Sequence, residues 1–114
     1  MGKLYNLDYL NEISSGDNNF ITDMLHDFVV ISPKTISEIE RLADICDWDQ
    51  LYKTVHKFIP SFEFVGADYI RNDLKNLEHY SKIKENLEQI PQLVSNIKAF
   101  CNQVVADIKT DFNL

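Results

Sequence analysis

The amino-acid sequence predicts an all-α protein, an antiparallel four-helix bundle with a short extra helix at its N-terminus. Apolar residues recur at three- and four-residue steps along most of the 114 residues, the spacing that places them on one face of an α-helix. Three glycines and three prolines are too few for a β-rich fold, which needs a turn about every ten residues. Because a chain of this length holds one hydrophobic core, we expect a single domain over residues 1–114.

The first two helices are predicted between residue 4 and residue 46. Apolar side chains between residues 4 and 13 allow a short helix of about two turns. A long helix is then expected to begin at Asp17, whose carboxylate can accept hydrogen bonds from the first free N–H groups. Pro33 lies inside this helix and removes one backbone hydrogen bond, which predicts a kink or a break near Ile31.

The third helix is predicted to begin at Asp47, which is a suitable capping residue. It runs to about Val65 and ends at Gly66, because glycine best adopts the left-handed conformation that closes a helix. A fourth helix is expected over about residues 68–80, with its apolar residues on one face.

The last helix carries apolar residues at alternating steps of three and four between residues 87 and 108, a seam of the kind used in bundles. Pro91 fits the first turn of this helix, since a proline there loses no helical hydrogen bond. In that case Leu87 and Ile90 belong to the preceding loop.

The charge balance disfavours two classes of partner. Lysine and arginine total 11 and aspartate and glutamate total 18, which gives a net charge of −7. An acidic chain is a poor ligand for nucleic acid and for anionic membranes. No apolar run approaches the ~20 residues of a membrane span, and the first ten residues show no signal peptide. We therefore expect a cytoplasmic protein.

Cysteines and histidines give no metal signal. Cys46 and Cys101 are far apart and fit neither a disulfide framework nor a zinc site, so both are expected to be buried thiols. His26 and His79 have no acidic or cysteine neighbours at ligand spacing. The sequence therefore predicts no metal site.

His56 lies on the third predicted helix, on the side away from the core. At about 100° per residue, one face of this helix is apolar throughout. That core stripe consists of Leu51, Val55, Phe58, Phe62 and Val65. His56 lies about 140° from the centre of the stripe, so its imidazole should face solvent.

The exposed face around His56 carries apolar residues where water is expected. The neighbours within about 80° of His56 include Tyr52, Lys53, Ile59, Pro60, Glu63 and Phe64. An apolar patch around one polar residue is typical of a protein-docking surface. Pro60 also leaves the carbonyl of His56 without its helical partner, which costs about 3 kcal/mol in an ordinary helix interior.

Residues 55–67 read Val-His-Lys-Phe-Ile-Pro-Ser-Phe-Glu-Phe-Val-Gly-Ala. This segment resembles the signature of histidine-containing phosphotransfer (HPt) domains, the carriers of two-component phosphorelays. The residues that match the family pattern are His56, Phe58, Pro60, Ser61, Val65 and Gly66. Ile59 departs from it, because the family has a lysine there. The resemblance extends over about residues 4–80, and the last helix matches in type only.

The resemblance implies that His56 accepts a phosphoryl group from a phosphoaspartate of a receiver domain, at Nε2, and passes it to another receiver. Candidates for supporting the phosphoryl group are Lys57, Lys53 and Ser61. Docking of the receiver is expected at Tyr52, Ile59, Pro60, Glu63 and Phe64. Gly66 is expected to have a structural role only.

The same resemblance implies the partners. They are the receiver domain of a response regulator and a hybrid sensor kinase, and the receiver supplies the Mg²⁺. We expect this chain to be a monomeric carrier that needs no cofactor of its own, and not a free-standing enzyme.

Two alternatives remain from the sequence. Ile59 in place of the family's lysine favours a module that binds receivers without transferring phosphate. A helical adaptor unrelated to signalling, in which His56 is incidental, is the other alternative. An autokinase is disfavoured, because the sequence has no glycine-rich nucleotide-binding segment and because His56 is followed by Lys57, not by an acidic residue.

Overall fold

The computed structural model describes residues 5–114, and this part of the chain is helical without strands. The α-helices are α1 (Asp8–Ser14), α2 (Asn18–Asp44), α3 (Trp48–Phe64), α4 (Arg71–Ile83) and α5 (Ile90–Phe112). Short 3₁₀ turns precede α4 and α5, at Asp68–Ile70 and Leu87–Gln89. The predicted all-α class is confirmed. Residue 4, at the predicted start of the first helix, lies outside the described residues.

Local sequence signals set the beginnings of α2 and α3. The carboxylate of Asp17 accepts hydrogen bonds from the backbone N–H groups of Asn19 and Phe20. The carboxylate of Asp47 accepts one from the N–H of Gln50. Both predicted caps are confirmed, and each satisfies donors that an isolated helix would leave to water.

The prolines of α2 and α5 lie at different places in their helices. Pro33 is exposed and lies inside α2, which runs without interruption from Asn18 to Asp44. Of the predicted kink or break near Ile31, the break is absent, because packing of the apolar face of α2 outweighs the loss of one backbone hydrogen bond. Pro91 lies in the first turn of α5, as predicted, and Leu87 belongs to the preceding 3₁₀ turn. Ile90, which the same interpretation assigns to the loop, is instead the buried first residue of α5.

The four long helices share one core. Helix α3 contacts α2 and α4, and α5 contacts the same two helices from the other side, while α1 contacts α2. Side chains with no more than 1% exposure come from all four long helices; they include Leu25, Ile39, Leu51, Val55, Leu74, Leu77, Ile97 and Val104. Within residues 5–114, no helix is both long enough and apolar enough to cross a membrane.

Helices α3 and α4 run antiparallel, and a ladder of polar contacts follows their common edge. Asp49 near the start of α3 pairs with Lys84 just beyond α4, at 3.5 Å between Oδ1 and Nζ. Glu63 near the end of α3 faces Arg71 at the start of α4, at 3.8 Å between Oε1 and Nη2. This register decides which residues of α4 lie opposite the middle of α3.

The two cysteines differ in burial. Cys101 is fully buried in α5, and burial raises the pKa of its thiol to about 11, so it stays protonated and unreactive at neutral pH. Cys46 is exposed, so the prediction that it is buried is wrong. Cys46 follows the end of α2 in the turn to α3, at φ +58°, where its side chain lies outside the packed helix faces.

The N-terminal segment is attached to the ends of α3 and α5. The N–H of Asn6 donates to the carbonyl of Val65 at 2.7 Å. The hydroxyl of Tyr5 donates to the carboxylate of Asp111, and Tyr5 itself is buried. Burial and the Asp111 carboxylate raise the pKa of Tyr5 well above its ordinary value. These contacts hold the segment before α1 close to Gly66.

Candidate functional site

Helix α3 presents His56 to solvent. The imidazole side chain is 67% exposed, whereas the predicted core stripe of α3 is buried along its whole length. The apolar stripe therefore fixes the rotation of α3, and the exposed position of His56 follows from it.

Glu78 of α4 lies within hydrogen-bond distance of one nitrogen of the imidazole. His56 Nδ1 lies 3.0 Å from Glu78 Oε2, and the Glu78 side chain is only 20% exposed. An ionised carboxylate can only accept a hydrogen bond, so Nδ1 is the nitrogen that carries the proton. In the neutral ring, Nε2 then holds the lone pair, which makes Nε2 the nucleophilic atom.

Tyr52 and Lys82 lie beside the imidazole. The ring of Tyr52, one turn before His56 on α3, has its centre 6.1 Å from the centre of the imidazole. The ammonium nitrogen of Lys82, on α4, lies 5.4 Å from the centre of the Tyr52 ring. This is a cation–π distance, so Tyr52 connects His56 to a cation of the neighbouring helix.

Sequence reasoning missed Glu78 and Lys82. They occupy the edge of α4 opposite His56 only because α3 and α4 pair antiparallel in the register described above. Glu78 stands 22 residues after His56, a separation that no local motif marks. The only sequence feature that bears on their position is the end of the third helix at Gly66. It predicts that the next helix turns back along α3, but it does not predict the register of the two helices.

The structure contradicts the prediction that Ile59 belongs to the docking surface. Ile59 is 5% exposed and lies beside Phe62, Ala67 and Leu74. Ile59 faces the side of α3 that α4 covers, so its apolar side chain completes the α3–α4 contact. The helical period predicts the correct angular position of Ile59 around α3, but it contains no information on which side of α3 the neighbouring helix covers.

Three of the other predicted docking residues form one wall of a groove. Pro60 and Glu63 are exposed, and Phe64 is half-buried with its ring centre 5.6 Å from that of Tyr9. The groove has a volume of about 540 Å³ and lies between the end of α3 and the segment that leads into α1. Arg71 lines it on the side of α4.

Two of the three predicted phosphate-supporting residues, Lys57 and Ser61, lie on the side of α3 that faces α2. Lys53 and Lys57 are exposed, and neither has an ion-pair partner within residues 5–114. Lys57 and the half-buried Ser61 line a depression of about 260 Å³ between α2 and α3. Ile31 of α2, which is 54% exposed, lines the same depression. The structure thus adds an exposed apolar side chain that the sequence did not assign to this face.

Among residues 5–114, no group of three or more histidine, cysteine or acidic side chains is arranged to hold a metal ion. Comparison with protein-family models, with curated proteins and with solved structures finds no match to this chain.

Proposed function

We propose that this chain is a phosphorelay carrier, in which His56 accepts a phosphoryl group from a phosphoaspartate of a receiver domain and passes it to a second receiver. The observation that supports this most strongly is the state of the imidazole. It is exposed, its Nδ1 proton is held by Glu78, and its Nε2 has no hydrogen-bond partner within residues 5–114.

The proposal includes the finer architecture. Helices α2, α3, α4 and α5 would form an antiparallel four-helix bundle, with α1 as the extra N-terminal helix. The contacts of α3 and α5 with both α2 and α4 support this arrangement. The resemblance of residues 55–67 to the HPt signature supports it independently, because that family uses such a bundle to present its histidine.

The transfer step needs no proton movement within this chain. The Nε2 lone pair attacks phosphorus, and the P–O bond to the receiver's aspartate breaks with its electron pair leaving on the carboxylate. Nδ1 keeps its proton, so the ring becomes positively charged, and the Glu78 carboxylate faces that charge. Phosphoryl transfer depends mainly on positioning and on charge neutralisation. The receiver would supply the Mg²⁺, and this chain the positioned nucleophile.

The test is transfer from a phosphorylated receiver. Purified chain is mixed with a phosphorylated receiver domain and Mg²⁺, and added phosphoryl mass is measured on the intact chain. We expect an acid-labile, alkali-stable label on the wild type and none on His56→Gln. His79→Gln is the matched control, because His79 is also exposed and lies beside Glu78 on α4; it should be labelled like the wild type.

The other outcomes identify the alternatives. A wild type that binds several receivers but is never labelled would show that the carrier assignment is wrong and would leave the module that only binds receivers. A chain that binds no receiver would leave the helical adaptor. Labelling of His56→Gln would place the phosphoacceptor elsewhere.

The docking surface is proposed to extend from His56 toward α2 and α1. Its apolar members are Ile31, Pro60 and Phe64, and its cations are Lys53 and Lys57. Helix α4 limits the surface on the opposite side, where Ile59 is buried. We expect Lys53 and Lys57 to face acidic groups of the receiver, and the exposed Glu63 to face a basic group.

Ile31→Asp is expected to weaken receiver binding by about 10-fold, because it removes apolar contact area and adds a charge to the interface. Binding would be measured by calorimetry with an unphosphorylated receiver. Val30→Asp is the control: Val30 has a similar exposure of 42% but points about 100° away around α2. Equal affinities for the two variants would contradict this position of the docking surface.

A further inference from the structure

A phosphoryl group on His56 would bring nearly two negative charges to the surface of α3. A cation beside the group would stabilise those charges during transfer. In the family that the sequence resembles, a lysine three residues after the histidine has this position, but here it is Ile59, which is buried. Within this chain, a cation beside the phosphoryl group has to come from another position.

Two lysines of α3 are weak candidates. Lys57 directly follows His56, and adjacent residues on a helix do not face each other. Its side chain lines the depression on the α2 side of α3. Lys53 lies about one turn before His56, but within residues 5–114 no ion pair or ring contact holds its ammonium group near the imidazole.

Lys82 of α4 is linked to His56 through the ring of Tyr52. Its ammonium nitrogen lies 5.4 Å from the centre of the Tyr52 ring, whose centre is 6.1 Å from that of the imidazole. Lys82 also follows Glu78 by about one helical turn, so the two side chains share one edge of α4. This edge presents a carboxylate to Nδ1 and an ammonium group to the Tyr52 ring, which is the neighbour of the imidazole.

We propose that the Lys82 ammonium group contacts the phosphoryl oxygens when His56 is phosphorylated and stabilises the charge on them during transfer. This inference rests on the proposed function and adds a residue from α4 to it. Lys82 stays protonated throughout and forms no covalent bond. Lys82 thus supplies from the neighbouring helix the positive charge that Ile59 does not provide.

Phosphoramidate tests this role without a receiver, so that docking does not enter the result. The Nε2 lone pair forms a bond to phosphorus, the P–N bond of phosphoramidate breaks, and ammonia leaves with the protons it already carries. Nδ1 keeps its proton beside Glu78. The rate constant for labelling of His56 would be measured by intact mass for each variant, at low and at moderate ionic strength.

We expect Lys82→Ala to slow labelling on the order of 10-fold. Loss of a buried charge-stabilising group would slow the reaction more, but Lys82 is exposed, so solvent screens its charge. Lys82→Arg, which keeps the charge, should stay within about twofold of the wild type. Lys98→Ala is the matched control, since Lys98 is an exposed lysine that pairs with Glu40 on the α2–α5 edge. Its rate should equal that of the wild type.

Several outcomes would overturn the inference. One is a wild-type rate for Lys82→Ala while His56→Gln remains unlabelled, which leaves the proposed function intact. A second is a slow Lys53→Ala with a normal Lys82→Ala, which would assign the cation to α3. A third is a Lys82→Arg as slow as Lys82→Ala, which would indicate a packing role. Absence of label on the wild type with phosphoramidate and with phosphorylated receivers alike would overturn the proposed function itself.

Discussion

Alanine in place of Gly66 is expected to lower the free energy of unfolding by about 3 kcal/mol. Gly66 has φ +62°, a conformation that costs other residues about 1–2 kcal/mol. A Cβ atom there would also lie 2.5 Å from the backbone oxygen of Asn6 and 2.8 Å from its Cβ. Asn6 cannot easily move away, because its N–H donates to the carbonyl of Val65 at 2.7 Å.

Gly16→Ala is the matched control for that substitution. Gly16 has a similar positive φ of +80°, but a Cβ atom there would meet nothing within 4 Å. Only the conformational cost applies, so we expect a loss of about 1 kcal/mol. Urea unfolding followed by circular dichroism would measure both variants. Equal losses would contradict the view that close approach of the segment before α1 sets the requirement for glycine at residue 66.

Under the proposed carrier function, alanine in place of Glu78 is expected to slow phosphoryl transfer from a receiver to His56 by about 10- to 100-fold. The substitution removes the acceptor that holds Nδ1 at 3.0 Å and therefore frees the ring to rotate and to exchange tautomers. It also removes the negative charge that faces the imidazolium formed on transfer. Single-turnover transfer, followed by intact mass, would measure the loss.

Two companion variants separate these contributions. Glu78→Gln keeps a hydrogen-bond acceptor but loses the charge, so we expect a loss of about 10-fold, smaller than that of Glu78→Ala. Glu85→Ala removes the same charge from an exposed position beyond α4 and should leave the rate unchanged. Nitrogen NMR of the imidazole would show the Nδ1–H tautomer in the wild type and a mixture in Glu78→Ala. A wild-type rate for Glu78→Ala would contradict the positioning role.

Local signals in the sequence predicted most of the helical framework. Asp17 and Asp47 begin their helices because a short acidic side chain can reach the first free N–H groups from its own backbone position. Gly66 ends α3 because the left-handed conformation is open to glycine. The core stripe of α3 follows from the helical period alone, and with it the exposure of His56. Each of these properties depends on residues within a few positions of one another.

Predictions that concerned relations between helices were less successful. Ile59 was placed on the open face of α3, but α4 covers that side of the helix. The break at Pro33 did not occur, because the contacts of α2 with its neighbours hold the helix together. Cys46 was expected in the core and lies in an exposed turn. For Ile59 and Pro33 the deciding contact involves a helix far away in the sequence, whereas for Cys46 it is the backbone conformation of the turn.

The sequence by itself determined the helical class, the helix caps and the presentation of His56, because these depend on short-range backbone geometry and on the period of the apolar residues. Only the tertiary structure decided what surrounds the imidazole. The antiparallel register of α3 and α4 brings Glu78 to Nδ1 and Lys82 to Tyr52, and it buries Ile59. That register is fixed by how the side chains of two helices pack together, and such packing leaves no pattern within either helix alone.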